Sequence, residues 1–328
     1  MYQSLNCPLC PAVRDACGGW DGLRAECAAL GVDGVEGIWD GAEIPADFPA
    51  DLLVGYHLTF FPDWLDFYRG DNAALIRKYG SLENARAFYG GNAPERIVEL
   101  YRDDLARARR LGAKYVVFHV SDVSNEESYT YRWQHTNREV IDASLEIINT
   151  LLADAPSGPE FLVENQWWAG FTFTNPDETA RLLDGIRYPK KGVLLDTGHL
   201  MNTNPALVSQ RNGIAYIQNM LDAHRAWLPY IRGVHLHQSL SGVYVRRHTG
   251  ALPEDFPIRD ADAQFSYSYL HVLKIDRHQP WTDPAAARLI ERIRPEYLTH
   301  ELSAGSHKAR VQAARRQIET LKKGGLSL

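Results

Sequence analysis

The chain has 328 residues, 45% of them hydrophobic, and its 35 basic against 41 acidic side chains leave a formal net charge of −6. That composition supports one large core, and the acidic balance weighs against a protein that wraps nucleic acid, which needs a basic surface. No apolar run reaches membrane-spanning length and the first residues carry neither a basic nor an apolar leader stretch, so a cytoplasmic location is the expectation.

In chain order, the first expected strand is Tyr2 to Asn6. It runs into Cys7-Pro-Leu-Cys10, the spacing of a metal or redox pair. No second half of a zinc ribbon follows, and free thiols in a loop are the plainer reading. Gly34 to Trp39 reads as a second strand, and Leu52 to His57 as a third that is buried and ends on a polar residue. A long connection, about residues 59–91, then carries Phe60, Phe61, Trp64, Phe67 and Tyr68. These rings either stack on a sugar or base or simply pack the loop. Pro94 opens a helix with an apolar stripe of Ile97, Val98, Tyr101, Leu105 and Leu111, closed by Gly112.

Lys114 to His119 and Phe161 to Glu164 repeat the strand form of Leu52 to His57. Asn175-Pro-Asp-Glu178 reads as an N-cap, a proline at the first helical position and a capping-box acid. Gly192 to Asp196 and Ile231 to His235 are the sixth and seventh strands, followed by a second long connection at about 238–273. Glu296 to Glu301 is the eighth strand, and a final helix runs from about Ser306 to Lys323. Eight short apolar strands alternating with amphipathic helices, without internal repeat or low-complexity linker, predict an α/β fold: a single (β/α)8 TIM barrel over residues 1–328. Both long connections follow strand C-termini, the face on which such barrels build their active sites.

Six of the expected strands end in His, Glu or Asp: His57, His119, Glu164, Asp196, His235 and Glu301. In a barrel these ends share one mouth, where unmetallated imidazoles and carboxylates would repel and shift one another's titration. A divalent cation relieves the crowding, and mixed nitrogen and oxygen donors suit zinc foremost, with manganese or iron as alternatives, better than calcium. Asp196-Thr-Gly-His199 adds an imidazole just past the sixth strand, and Asp276-Arg-His278 adds two donors. In an extended segment i and i+2 point the same way, so Asp276 and His278 can reach one ion. Each piece alone has a plainer reading: a hydrogen-bonding histidine, a capped turn, a surface salt bridge, a carboxylate paired with arginine. His237, His248, His271, His300 and His307 are left over, with His237 at most supporting a ligand and His300 facing the helices.

Glu164, the Asp196-Thr-Gly-His199 motif, His235-Leu-His, Asp276-Arg-His278 and Glu301 resemble the xylose-isomerase-like barrel superfamily, which includes endonuclease IV, sugar isomerases and sugar epimerases. The resemblance spans nearly the whole barrel. It implies that Glu164, Asp196, His235 and Glu301 form the single-metal quartet of the epimerases, with Glu164 and Glu301 as the catalytic acid and base. It further implies, by likeness to endonuclease IV, a first ion on His57, His119 and Glu164, a second on the quartet, and a third on His199, Asp276 and His278. One departure is Leu236-His-Gln-Ser239, where the endonuclease carries Asn-Asp-Ser after its strand-seven histidine.

Three functions follow as expectations. The leading one is multi-zinc hydrolysis of a phosphoester in a sugar or sugar-phosphate type of small molecule, in which clustered ions activate a water and clamp phosphate oxygens. The alternative is a metal-dependent sugar isomerase or epimerase. A structural or storage zinc site is the third, and such sites are usually sulfur-rich and closed. Trp167, Trp168 and Arg277 are the expected substrate-binding side chains, and nucleic acid is not an expected partner.

Overall fold

The apolar runs become eight parallel strands, and in the computed structural model, which describes residues 1–39, 41, 44–153, 158–257 and 261–327, they close into a barrel. The strands are β1 (Tyr2–Pro8), β2 (Gly34–Ile38), β3 (Leu53–His57), β4 (Tyr115–His119), β5 (Glu160–Glu164), β6 (Lys191–Asp196), β7 (Ile231–His235) and β8 (Tyr297–His300). Each pairs with the next in sequence, and β8 pairs with β1. Expected and observed ends differ by a residue or two. Leu52 belongs to a short 3-10 turn ahead of β3, and Glu301 lies just beyond β8. Cys7 sits within β1 and Cys10 stands at the N-cap position of the following short helix, so neither is in an open loop, and none of the four cysteines forms a disulfide. Burial pushes the Cys7 thiol up to about 12, which disfavours the reactive thiolate.

The helices form for the reasons their sequences suggest. Glu95–Arg110 buries Ile97, Val98, Tyr101 and Leu105 against the barrel, and Gly112, at φ 76°, turns the chain into β4. Asn175 caps Pro176–Gly185 by accepting from the Asp177 amide at 3.0 Å. Glu178 does not complete a capping box there; it accepts from Asn137 Nδ2 at 3.0 Å and ties two helices together. His307–Lys323 is capped by Ser306 and lies over His300, whose Nδ1 meets Gln317 Nε2 at 3.0 Å.

Both long connections fold into helices rather than loops. The first holds Leu65–Arg69, Asn72–Tyr79 and Leu82–Tyr89. The second holds Gly242–His248 and Ala261–Ile275, and its residues 258–260 lie outside the described residues. No helix among the described residues is long and apolar enough to cross a membrane.

Candidate metal centre

Alternation along each strand aims every second side chain into the barrel, and the last inward position of most strands is a donor. His57 closes β3, His119 β4, Glu164 β5, Asp196 β6 and His235 β7, all around one opening. Glu164 is the hub. Its Oε2 stands 3.3 Å from His57 Nε2 and 3.0 Å from His119 Nε2, and its Oε1 stands 3.1 Å from His199 Nδ1 and 3.3 Å from His235 Nδ1. His235 Nδ1 also faces Glu301 Oε2 at 3.0 Å and Asp196 Oδ2 at 3.7 Å.

The third group forms beside this one. Asp196 Oδ1 accepts the His199 amide at 2.6 Å, which starts the short helix Thr197–Asn202 and swings His199 over the mouth. His199 Nε2 then meets Asp276 Oδ2 at 3.2 Å, and His278 Nδ1 meets the same oxygen at 3.3 Å. Asp276 and His278 are not joined by an extended segment, as the spacing suggested. The chain leaves the helix Ala261–Ile275 in a bend, and His278 takes φ 45°, an uncommon conformation for a side chain-bearing residue. Arg277 between them is turned outward, its guanidinium reaching only the Leu240 carbonyl at 3.4 Å, so the structure does not bring it to the site.

Two buried residues matter more to the site than the sequence suggests: from sequence, His237 is expected at most to support a ligand, and Glu36 is not singled out. His237 joins His199, Asp276 and His278, each offering one donor within 4.8 Å of the others. Its ring packs flat on His278 at 4.2 Å, and its Nε2 meets Asp196 Oδ2 at 2.8 Å. Glycine at 198 makes this possible: a Cβ there would stand 2.0 Å from His237 Cε1. Glu36, inside β2, faces His235 Nε2 at 2.8 Å and is itself held by the Tyr115 hydroxyl at 2.6 Å. A carboxylate on one imidazole nitrogen fixes the other nitrogen toward the cluster, the arrangement that orients metal-bound histidines. His57 has the same device from a backbone carbonyl, since its Nδ1 donates to Leu58 O at 2.8 Å. A lone glutamate in the otherwise apolar Gly34-Val-Glu-Gly-Ile38 was the available signal for Glu36.

The electrostatics describe a site short of positive charge. Burial opposes ionisation of Glu164, but His119 and His235 hold its carboxyl well below the usual range. Burial likewise opposes charging of His235, yet Glu301, Glu36 and Glu164 raise it well above an ordinary histidine. Against the same burial, Asp276 and Glu301 push His278 up to about 9. Buried Glu164 Oε2, Glu301 Oε2 and His237 Nδ1 take part in no hydrogen bond although donors crowd around the two oxygens. Carboxylate oxygens left without a hydrogen bond among converging nitrogens are what a cation would satisfy. The donor sets fit divalent metal: His57, His119 and Glu164; Glu164, Asp196, His235 and Glu301; His199, His237, Asp276 and His278. A further group, Cys17, Glu26 and His307, lies in the helix layer.

Over the donors opens a cavity of about 490 Å³, bordered by both long connections. Trp167 and Trp168 line it, with Trp167 5.0 Å from the His199 ring. Of the aromatic residues in the first connection, Trp64 and Phe67 are core and Phe61 packs on Tyr101. Phe60, stacked 4.8 Å from His119, lines the cavity, as do Tyr79 and Phe88 farther along the same connection.

The sequence profile of the xylose isomerase-like TIM barrel family matches residues 24–323. Among solved structures, endonuclease IV from Thermus thermophilus superposes with a TM-score of 0.53 at 18% identity, covering 98% of this chain and 100% of that one. L-ribulose 3-epimerase gives 0.52 at 14% identity over 99% of this chain and 94% of that one. D-allulose 3-epimerase from Methylomonas sp. gives 0.52 at 12% identity, covering 98% of each chain. No curated protein matches the sequence. At these identities the structural likenesses establish the fold.

Proposed function

The chain belongs to the xylose isomerase-like TIM barrel family, and from that premise we propose that it is a multi-metal hydrolase of a phosphoester carried by a small molecule. The observation that carries this reading is the convergence of His199, Asp276 and His278, with His237, beside the quartet of Glu164, Asp196, His235 and Glu301. A single-metal isomerase has no need of that additional group. Divalent cations, zinc foremost, held by the three groups would supply charge that makes a water acidic and neutralises phosphate oxygens.

The side chains have separable tasks. Glu164 belongs to two groups and couples them. Glu36 and Leu58 O orient His235 and His57. Glu301 is the most open of the four carboxylates, at 16% side-chain exposure, and is placed to take a proton from a water or hydroxyl entering from the cavity. Trp167, Trp168 and the helices of the two connections restrict the water that reaches the donors. The acidic total and the narrowed mouth favour a small molecule over a DNA duplex.

A second reading, epimerisation of a sugar, draws on Glu164 and Glu301 flanking His235 Nδ1 at 3.3 and 3.0 Å, two carboxylates within one donor group. Zinc-loaded protein assayed with 4-nitrophenyl phosphate and bis(4-nitrophenyl) phosphate, and separately with ketoses in deuterium oxide, decides between them. Phosphoester turnover that depends on His278 supports the hydrolase. Deuterium incorporation into a ketose without phosphoester turnover overturns it.

A further inference from the structure

The helix Ala261–Ile275 carries an apolar stripe at Phe265, Tyr269, Val272 and Leu273, with Ser268 between. Such a stripe normally packs on a core. Here all five residues line the cavity above the metal donors; Val272 also packs on the apolar cluster around Trp167 and Trp168, while Phe265, Tyr269 and Leu273 remain 40–52% exposed. Phe60, Phe88 and Trp167 border the same cavity. Its floor includes His119, His199, Asp276 and His278, so apolar wall and metal donors belong to one continuous space of about 490 Å³. Exposed apolar side chains gathered at one place mark a binding site. Polar side chains, Asn125, Gln134, Gln166 and Gln264 among them, also line the cavity, but the stripe itself offers mainly carbon, which a free sugar or an unsubstituted sugar phosphate would leave uncovered.

We propose that the substrate is amphipathic: a phosphoester head that meets the donors at the barrel mouth, joined to an aryl or similarly bulky apolar body that fills the chamber against the helix Ala261–Ile275. The inference rests on the phosphoesterase reading for its head group and goes beyond it in naming the body. The volume lies within the range of pockets that enclose a drug-sized molecule, and is larger than a phosphate alone requires. The apolar surface left open on the helix is what such a body would cover, which gives the otherwise costly exposure of Phe265, Tyr269 and Leu273 a purpose.

The test uses the full-length, zinc-loaded protein and three probes titrated calorimetrically: methylphosphonate, 1-naphthylmethylphosphonate and glucose 6-phosphate. The naphthyl compound is expected to bind at least about tenfold tighter than methylphosphonate, a difference of about 1.4 kcal/mol. A Phe265→Ser/Leu273→Ser double variant, altered only at partly exposed positions, should lose most of that gain while keeping its metal content and melting temperature. Equal binding of the two phosphonates overturns the inference and leaves the phosphoesterase reading standing. Glucose 6-phosphate binding as tightly as the naphthyl compound also overturns it, because the chamber is then a sugar site. Failure of all three probes to bind removes the phosphoester head and the inference with it. If sedimentation shows that the wild type dimerises and the double variant does not, the stripe is a contact between copies and the inference falls.

Discussion

Two places in this molecule bury several carboxylates, and they solve the same problem differently. In the first connection, Asp63 and Asp66 converge on Lys78 Nζ at 2.6 and 2.7 Å, and His135 Nε2 meets Asp66 at 3.1 Å. Asp122 beside them accepts the Trp64 and Leu65 amides at 2.8 and 2.9 Å. At the barrel mouth, Glu164, Asp196, Asp276 and Glu301 are surrounded by six imidazoles, and among the described residues no lysine or arginine forms an ion pair with them. The first cluster carries its own fixed cation, Lys78, although burial still raises Asp63 and pushes Asp122 up to about 7; the second has no such cation among the described residues and, on the proposed reading, takes its charge from metal. A buried carboxylate has to be paired, so the comparison separates a cluster built for stability from one built to bind.

The largest effect expected from breaking this contrast is catalytic. Glu164→Ala should cut metal-dependent turnover about 10³-fold or more, because one carboxylate serves two donor groups, while the barrel still folds by circular dichroism. Retention of full metal content and turnover in that variant would contradict the site. Next comes stability at the other cluster. Lys78→Met should cost about 3–5 kcal/mol of unfolding free energy by leaving Asp63 and Asp66 buried without their cation, with metal content unchanged. A loss below about 1 kcal/mol in urea titration would show that Lys78 is a bystander.

Adding metal sharpens the same comparison. Zinc at about 100 times its dissociation constant should stabilise the metal-free protein by about 2.7 kcal/mol for each independent ion. Lys78→Met should gain as much as the wild type, and Glu164→Ala much less. Gly198→Ala, whose new Cβ would strike His237, should weaken binding at the third group by disturbing its geometry, read as a lower zinc affinity with little change in secondary structure. The smallest effect is a pH dependence away from both clusters. Burial holds His271 down to about 4, below an ordinary histidine near 6.5. The unfolded chain therefore takes up a proton that folded His271 refuses, and its share of stability, present above about pH 6.5, is lost as the pH falls toward about 4. His271→Phe should flatten that slope in the apo protein.

The strand ends were legible in sequence because the evidence for them is local: an apolar run that closes on a donor, as in Tyr115-Val-Val-Phe-His119. What escaped depends on the path of the chain. His237 follows His235 by two residues, but Thr197 Oγ1 binds the carbonyls of both and turns the segment so that His237 swings toward the third group. Arg277 was grouped with its neighbours by position, yet the bend that brings Asp276 and His278 together points it outward. Glu36 sits mid-strand, where only closure of the barrel brings β2 opposite β7. The stripe on Ala261–Ile275 escaped because the sequence reads there as part of a long connection rather than as a helix, and even a helical pattern would not tell a face on a cavity from one on a core.

The central claim is that the third donor group holds an ion of its own. Zinc counted by inductively coupled plasma mass spectrometry, on wild type and His278→Ala purified side by side, tests it most directly. About three ions per chain in the wild type and about two in the variant are expected, one for each of the three donor groups at the barrel mouth. A single ion per chain in both would contradict it and make the epimerase the better reading.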